Sequence, residues 1–272
     1  MMNRKLVLII SDGGGNAPLR GVHIDKNNYL NFFKAPEGGA WKDEEIKVFD
    51  NNDFDKEWIH SISLLGRLEH HPIDYFLIVY CGHGFTDQYG NIRLQVRTDC
   101  DLKLYDLLAA VGPTRCLVIA DSCRAVYRLD EGGRIGDMRL FSTSDEARRS
   151  AYTNMCRTAY NECLAATPAT MQMVLFSNSF GETADENKNG GLYSFAMLKA
   201  AKAEISRIHT LQEHDANSYM VDVDTIHEAA KQEVEQQTHQ RQHPDKVLGS
   251  RSCARFPFVV VPHLQLQIPD ED

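Results

Sequence analysis

The chain has 272 residues, of which 43% are hydrophobic and 25% are charged, and its formal net charge at pH 7 is -9. This length allows one large or two small domains, and the composition is ordinary for a soluble globular protein. The acidic balance argues against a general nucleic-acid binder, which usually presents a basic face.

Strands and helices alternate along the sequence. In chain order, the first half predicts a strand (Leu6–Ile10), a helix (Val22–Phe33), a strand (Glu45–Phe49), a helix (Asp55–Leu68), a strand (Ile73–Val79), a hairpin (Gly84–Leu94) and a helix (Leu102–Val111). The second half predicts a strand (Cys116–Ile119), a surface loop (Arg124–Ser142), a helix (Thr143–Leu164), a strand (Met171–Phe176), a flexible segment (Thr183–Gly191), two helices (Tyr193–Ile208 and Val221–Gln237) and a strand (Phe256–Val261). This alternation predicts an α/β fold in three αβα layers, built around six mostly parallel strands in a single domain.

The cysteines and the N-terminus indicate the compartment. The seven cysteines are odd in number and include no Cys-x-x-Cys pair, which is typical of a reduced protein rather than a disulfide scaffold. The first apolar run ends at Asp12, too early for a signal peptide or a membrane span. We therefore expect a cytoplasmic protein with no nucleic-acid or membrane partner.

Two short segments follow predicted strands and carry chemistry. YCGHG (80–84) and ADSCR (120–124) place His83 and Cys123 just beyond the carboxyl ends of strands, where open parallel sheets have their sites. An imidazole near a thiol is the arrangement for nucleophilic cysteine catalysis. Taken singly, His83 also fits a solvent-facing histidine in a glycine-rich turn, and Cys123 a small apolar residue at a strand end.

These segments resemble the caspase-like cysteine peptidases, and most closely the metacaspases and their bacterial relatives. The usual family forms are Tyr-Ser-Gly-His-Gly and Asp-x-Cys-His-Ser-Gly, from which Cys81, Arg124 and Ala125 depart. The resemblance extends to LRGV (19–22) with Asp25, to SNSFGETA (177–184), to GGLYSF (190–195) and to a closing strand near residues 249–258. It implies a caspase-like (caspase-hemoglobinase) fold over residues 1–262, followed by a polar tail at 263–272.

The resemblance also implies the catalytic roles. Cys123 would attack the scissile carbonyl as the nucleophile of a dyad with His83, which would serve as general base or general acid. By analogy with the family, the backbone N–H groups of Gly84 and Cys123 would form the oxyanion hole. No cofactor or metal is implied.

The residue two positions before the nucleophile bears on specificity. In metacaspases an aspartate at this position selects arginine or lysine at P1, so Asp121 implies a protein substrate with a basic P1 residue. Asp12 is a candidate for a second acidic wall. Two alternatives remain: Asp121 as a helix N-cap, and an Asp-specific peptidase that uses Arg20, which lies one residue out of register with the family's arginine.

Other parts of the resemblance concern substrate and activation. Ser177 to Ser179 would pair their main chain with an extended substrate, in which Ser177 and Ser179 are binding candidates. Residues 124–143 are a candidate for self-cleavage. Calcium activates many metacaspases, but the segment at 185–190 is only half of an EF-hand loop, because position twelve is Ala196. Bacterial relatives in defence or cell-death systems also suggest an activating protein or small signal molecule.

Two functions from other classes stay open on the sequence. One is a catalytically idle caspase fold that serves as a binding module. The other is a thiol redox or metal protein that uses Cys81, Cys123 and His83.

Overall fold

The computed structural model describes residues 2–13, 18–50, 72–97, 99–124, 146–212, 217–248 and 255–263. Its main sheet has six strands, which are β1 Arg4–Ser11, β2 Ile46–Phe49, β3 Tyr75–Gly82, β7 Arg115–Asp121, β8 Gln172–Phe176 and β12 Asp245–Leu248. Their order across the sheet is β12-β8-β7-β3-β1-β2. Every neighbouring pair is parallel except β12 and β8, so the predicted mostly parallel six-stranded α/β fold is confirmed.

Alternate residues of the central strands point to opposite faces, and each face is covered by apolar side chains. On one face, Leu77 and Leu117 pack with the helices α1 Val22–Lys34, α3 Glu146–Ala166, α4 Leu192–Gln212 and α5 Val223–Gln237. On the other face, Ile78 and Val118 pack with α2 Leu104–Val111 and with a small antiparallel sheet. That sheet contains β4 Gly84–Thr86, β5 Ile92–Arg97 and β6 Cys100–Lys103. The result is a central sheet between two layers.

The identity of the sixth strand corrects the sequence prediction. The sequence predicts Phe256–Val261 as the last main strand, but β13 Pro257–Val261 pairs antiparallel with β11 Tyr219–Asp222 in a separate two-stranded sheet. The sixth strand of the main sheet is β12, which pairs with β8 from Met173 to Phe176. β12 is a short edge strand in which Val247 and Leu248 are exposed, so it lacks the buried apolar run that marks the other strands.

Several smaller elements differ from the predictions. The predicted hairpin at Gly84–Leu94 continues into a third strand, β6, which occupies the start of the helix predicted from Leu102. The segment predicted as flexible contains a tight hairpin of β9 Glu186–Asn187 and β10 Gly190–Gly191. A single 3-10 turn, Asp43–Glu45, precedes β2.

The predicted helix Asp55–Leu68 and most of the predicted loop 124–143 lie outside the described residues. Within those residues no helix is long and apolar enough to cross a membrane.

Candidate active site

The pairing of β3 with β1 and β7 brings the strand ends that precede His83 and Cys123 to one edge of the main sheet. β3 pairs with β1 as far as Ser11 and Gly82, and with β7 as far as Cys81 and Asp121. Because parallel strands end on the same edge of a sheet, the residues that follow them lie together. His83 therefore comes directly after β3, and Cys123 comes two residues after the end of the adjacent strand.

His83 is half-buried, and hydrogen bonds from β3 and β5 hold its backbone carbonyl in place. The N–H of Gln95 donates to the His83 carbonyl at 2.9 Å, and the Tyr80 hydroxyl donates to the same oxygen. The imidazole ring packs against the backbone of Gly13, two residues beyond β1. The histidine is thus fixed at this edge of the sheet by Gly13, which follows β1, and by residues of β3 and β5.

Gly84 connects the histidine segment to the cysteine segment. A Cβ at Gly84 would lie 2.7 Å from the Ser122 Oγ and 2.9 Å from the Cys123 carbonyl oxygen. Such a close approach of two backbones tolerates only glycine at this position. The structure therefore brings Gly84, one of the two oxyanion-hole candidates, directly against the segment that carries the other.

Cys123 is half-buried beneath the segment that follows β8. The backbone N–H of Ala184 donates a hydrogen bond to the Cys123 Sγ at 3.3 Å. Burial raises the pKa of the Cys123 thiol, the Ala184 N–H lowers it, and the negative charges of Asp121 and Asp185 raise it further. The raised pKa means that a base must remove the thiol proton before the sulfur can attack a carbonyl at neutral pH.

Asp121 is buried at the end of β7 and faces a second buried carboxylate, Asp25 of α1. The Ser194 N–H donates to Asp121 Oδ2 at 2.9 Å, and the Gly191 N–H donates to Asp25 Oδ2 at 2.9 Å. Burial raises the pKa of Asp121, and burial together with the Asp121 charge raises the pKa of Asp25 well above its usual range. The other Asp25 oxygen, Oδ1, is buried with no hydrogen-bond partner among the described residues.

A third carboxylate, Glu186 of β9, completes an acidic cluster with Asp25 and Asp121. Burial raises its pKa, the Gly21 N–H lowers it, and the Asp121 charge raises it. No lysine or arginine in the described part of the chain is among the groups that shift the pKa of these three side chains. Within the described ranges, these three acidic side chains therefore lie together with no lysine or arginine acting on them.

Neither of the other two specificity candidates, Asp12 and Arg20, is among the charges that shift the pKa values of this cluster. The carboxylate of Asp12 lies 3.8 Å from Nε2 of His23, on the first turn of α1. Arg20 is exposed, directly before the glycine that precedes the same helix. The carboxylate placed beside Asp121 is therefore Asp25, and Asp12 remains a prediction for a substrate contact.

Hydrogen bonds tie Ser177 and Asn178 to the nucleophile segment, and Ser179 to His243. Ser177 Oγ accepts from the Ser122 N–H and donates to the Ser122 carbonyl, each at 3.1 Å. Asn178 Nδ2 donates to the same carbonyl at 3.1 Å, and the Ser179 Oγ donates to the His243 carbonyl at 3.0 Å. These contacts order the loop beside Cys123, and the predicted pairing of Ser177 and Ser179 with substrate stays a prediction.

The buried side chain of Arg124 also contacts the loop that contains Ser177 to Ser179. Its guanidinium carbon lies 4.3 Å from the centre of the Phe176 ring, and its Nη1 donates to the Asn178 carbonyl at 3.0 Å. Its backbone N–H also donates to the Glu182 carbonyl at 2.9 Å. Arg124, which departs from the family motif, is thus buried directly after the nucleophile and hydrogen-bonds the loop that follows β8.

The candidate calcium segment forms the hairpin of β9 and β10. Asn187 Oδ1 accepts from the Asn189 N–H at 2.7 Å, so this side chain serves the turn itself. Within the described ranges, no three His, Cys, Asp or Glu side chains are grouped in a way that could hold a metal ion.

Sequence reasoning gave no role of its own to two residues that the structure places at the site. Asp25 carried a signal, because it shares a helix face at i, i+4 and i+8 with the buried Tyr29 and Phe33, where a charge is out of place. Gln242 is buried beside the loop after β8, and nothing in the local sequence indicates this.

A protein-family model and two solved structures are similar to this chain. A protein-family model described as "Caspase domain" matches residues 4–250. The crystal structure of caspase-1 from Spodoptera frugiperda is similar at 17% identity and a TM-score of 0.52, covering 90% of this chain and 87% of that one. The crystal structure of protein GSU0716 from Geobacter sulfurreducens is similar at 13% identity and a TM-score of 0.54, covering 93% and 96%. The comparison with curated proteins found no match.

Proposed function

This chain belongs to the caspase-domain family, and we propose that it is a cysteine endopeptidase acting on proteins. We further propose that it cuts after arginine or lysine. Cys123 is the proposed nucleophile and His83 the proposed acid–base. The proposal on catalysis is supported by the two aligned strand ends, and by Gly84, which packs one motif against the other.

In the proposed mechanism, His83 takes the thiol proton as the Cys123 Sγ attacks the scissile carbonyl carbon. The N–H groups of Gly84 and Cys123 stabilise the oxyanion, and one such donor lowers a barrier by about 2.7–4 kcal/mol. The C–N bond then breaks, and His83 returns the proton to the leaving amine. Water hydrolyses the thioester that remains and releases the second product.

The observation that carries the basic specificity is the acidic cluster of Asp25, Asp121 and Glu186. Asp25 and Asp121 are buried, and no lysine or arginine in the described part of the chain neutralises them, which is costly; the unpartnered Asp25 Oδ1 adds to that cost. A substrate guanidinium or ammonium supplies the missing charge and hydrogen-bond donors, with arginine able to bind in a bidentate way. The same cluster repels an aspartate at P1, which argues against the Asp-specific alternative.

A panel of fluorogenic peptides that differ only in P1 tests this proposal. Wild-type protein should release the fluorophore after arginine and lysine, and the Cys123→Ala variant should release none. The double variant Asp25→Asn/Asp121→Asn should lose the preference for basic residues. Faster release after aspartate than after arginine would show that the specificity proposal is wrong, and no release from any peptide would favour an idle binding module.

Activation forms a separate part of the proposal. Family resemblance suggests an activating protein or small signal molecule, calcium dependence and self-cleavage within residues 124–143. Incubation of wild-type and Cys123→Ala protein side by side, with and without calcium, tests two of these. Bands that stay identical and full-length would argue against self-cleavage under those conditions.

A further inference from the structure

The segment that covers the candidate nucleophile is held at both of its ends by one buried side chain. This segment, residues 177–185, is here called the covering loop. Gln242 Nε2 donates to the Ser177 carbonyl at 2.8 Å, and Gln242 Oε1 accepts from the Asp185 N–H at 2.9 Å. Only 1% of Gln242 is exposed. A single amide thus joins the first and last residues of the covering loop.

The covering loop contacts the sulfur through its backbone. The Ala184 N–H that donates to the Cys123 Sγ belongs to the residue just before Asp185, whose own N–H is bound by Gln242. The Ala184 N–H lies in the peptide plane before the Ala184 Cα, and the Asp185 N–H lies in the plane after it, together with the Ala184 carbonyl, whose oxygen is 3.8 Å from the Cys123 Sγ. If the Asp185 N–H loses its acceptor, the second plane loses its anchor, and the backbone of Ala184, with its N–H, is held less firmly against the sulfur.

Gln242 is itself held firmly in the turn that follows α5. Its backbone N–H donates to the Thr238 Oγ1 at 3.2 Å, and that hydroxyl donates to the Val234 carbonyl at 2.8 Å. Two residues of the turn, His239 and Gln240, have left-handed φ angles of 50° and 61°, so the turn has a specific conformation.

We propose that Gln242 is a positioning residue, which aims the Ala184 N–H at the Cys123 sulfur and so stabilises the thiolate when it forms. This inference rests on the proposed function only for the role of the thiolate as nucleophile. A hydrogen bond to a charged sulfur is stronger than one to a neutral thiol, so a well-directed donor favours the ionised form. Exposed ion pairs, such as the one between Arg241 and Asp185, hold the loop less firmly because water competes for them.

The test measures how the alkylation of Cys123 by iodoacetamide depends on pH, with mass spectrometry identifying the modified peptide. The variant Gln242→Met keeps a side chain of similar length but removes both hydrogen bonds. We expect the midpoint of the profile to move to higher pH by about one unit, with alkylation below the midpoint roughly tenfold slower. The Cys123→Ala variant shows the background from the other cysteines.

A matched control separates positioning from general loss of stability. Gln172 Nε2 donates to the Gly112 carbonyl at 3.0 Å, at the opposite end of β8 from the site. Gln172→Met makes the same chemical change there and should leave the alkylation profile of Cys123 unchanged. If Gln242→Met lowers the melting temperature but keeps the wild-type profile, Gln242 is merely structural and the inference is wrong.

Two further outcomes also test the inference: a Gln242→Met variant that does not fold, and a protein that cuts no peptide. If Gln242→Met does not fold, Thr238→Val is the deciding variant, because it removes only the hydroxyl that anchors Gln242. A smaller upward shift of the alkylation midpoint then supports the inference. An unchanged alkylation profile overturns it. Alkylation needs no peptide hydrolysis. A shifted profile in a protein that cuts no peptide therefore supports the inference while it contradicts the proposed function.

Discussion

Asp25 and Asp121 approach each other across Gly191. The Gly191 N–H donates to Asp25 Oδ2 at 2.9 Å, and a Cβ on Gly191 would lie 3.2 Å from that oxygen and overlap the Asp121 carboxylate. The chain thus needs the smallest residue where helix α1, strand β7 and the β9–β10 hairpin meet.

Replacing Gly191 by alanine should disrupt the site. The added methyl group must push apart two buried carboxylates, and overpacking of this kind costs about 1–3 kcal/mol. We expect a lower free energy of unfolding in urea and a large loss of arginine-specific cleavage. Gly90→Ala is the control: its φ is +82° with nothing within 4 Å, so it should lose about 1–2 kcal/mol from backbone strain but keep its cleavage rate. Wild-type cleavage by Gly191→Ala would contradict the prediction.

The pH dependence of stability should report the raised pKa of Asp25. Burial and the Asp121 charge hold that pKa well above its usual range, so the folded state binds the proton more tightly than the unfolded state does. This contribution to stability is full below the unfolded pKa and is lost as pH rises through the folded pKa, with a limiting slope of about 1.4 kcal/mol per pH unit. Urea denaturation at a series of pH values measures it.

Asp25→Asn is the matching variant, since asparagine keeps an oxygen for the Gly191 N–H and cannot ionise. Its free energy of unfolding should decline less than that of wild type as pH rises above the ordinary aspartate range. Parallel curves for the two proteins would mean that Asp25 does not titrate in this way.

The central strands, and the sheet edge that carries His83 and Cys123, could be predicted from the sequence because central parallel strands are continuous apolar runs. That pattern located β1, β3, β7 and β8 to within a few residues, and their shared edge then aligned His83 with Cys123. Edge strand β12 carries no such pattern, since pairing with β8 rather than burial defines it. β13 is apolar because helices cover it, although it lies outside the main sheet.

The parts of the site that could not be predicted depend on tertiary contacts. Gln242 is far from the covering loop in sequence, and only the turn after α5 brings its amide to both loop ends. Arg124 is one residue from the nucleophile, but its role depends on Phe176 and Asn178, which come from β8 and the segment after it. Local sequence shows the chemistry of such residues, whereas their partners are set by the fold.

Arg124→Lys should reduce catalysis more than it reduces stability. Lysine keeps the charge but loses the planar stack on Phe176, and it cannot reproduce the guanidinium geometry toward the Asn178 carbonyl. A misplaced covering loop should lower kcat/KM on the order of 100-fold, as small misplacements at active sites do. Arg207→Lys is the control, because Arg207 forms an exposed pair with Glu204 and should change nothing measurable. Equal kcat/KM for Arg124→Lys and wild type would contradict the supporting role.

Glu45 should be a strong determinant of stability, remote from the active site. Arg157 Nη1 donates to its Oε2 at 2.8 Å, Arg4 Nε donates to its Oε1 at 3.2 Å, and the Arg4 guanidinium stacks on the Trp41 ring at 4.3 Å. Burial raises the pKa of Glu45, but the hydrogen bond from Arg157 and the charge of Arg4 outweigh it and lower the pKa to about 2.

The pH dependence of the Glu45 contribution has the opposite sign to that of Asp25. A lowered folded pKa stabilises the protein above the unfolded pKa, and this stability is lost as pH falls from about 4.5 toward about 2. Glu45→Gln leaves two arginines without their carboxylate, so it should cost about 3–5 kcal/mol at neutral pH. The difference from wild type should shrink as wild type takes up the proton in acid. Urea denaturation at pH 7 and near pH 3 measures both, and a difference independent of pH would exclude the ionised carboxylate as its cause.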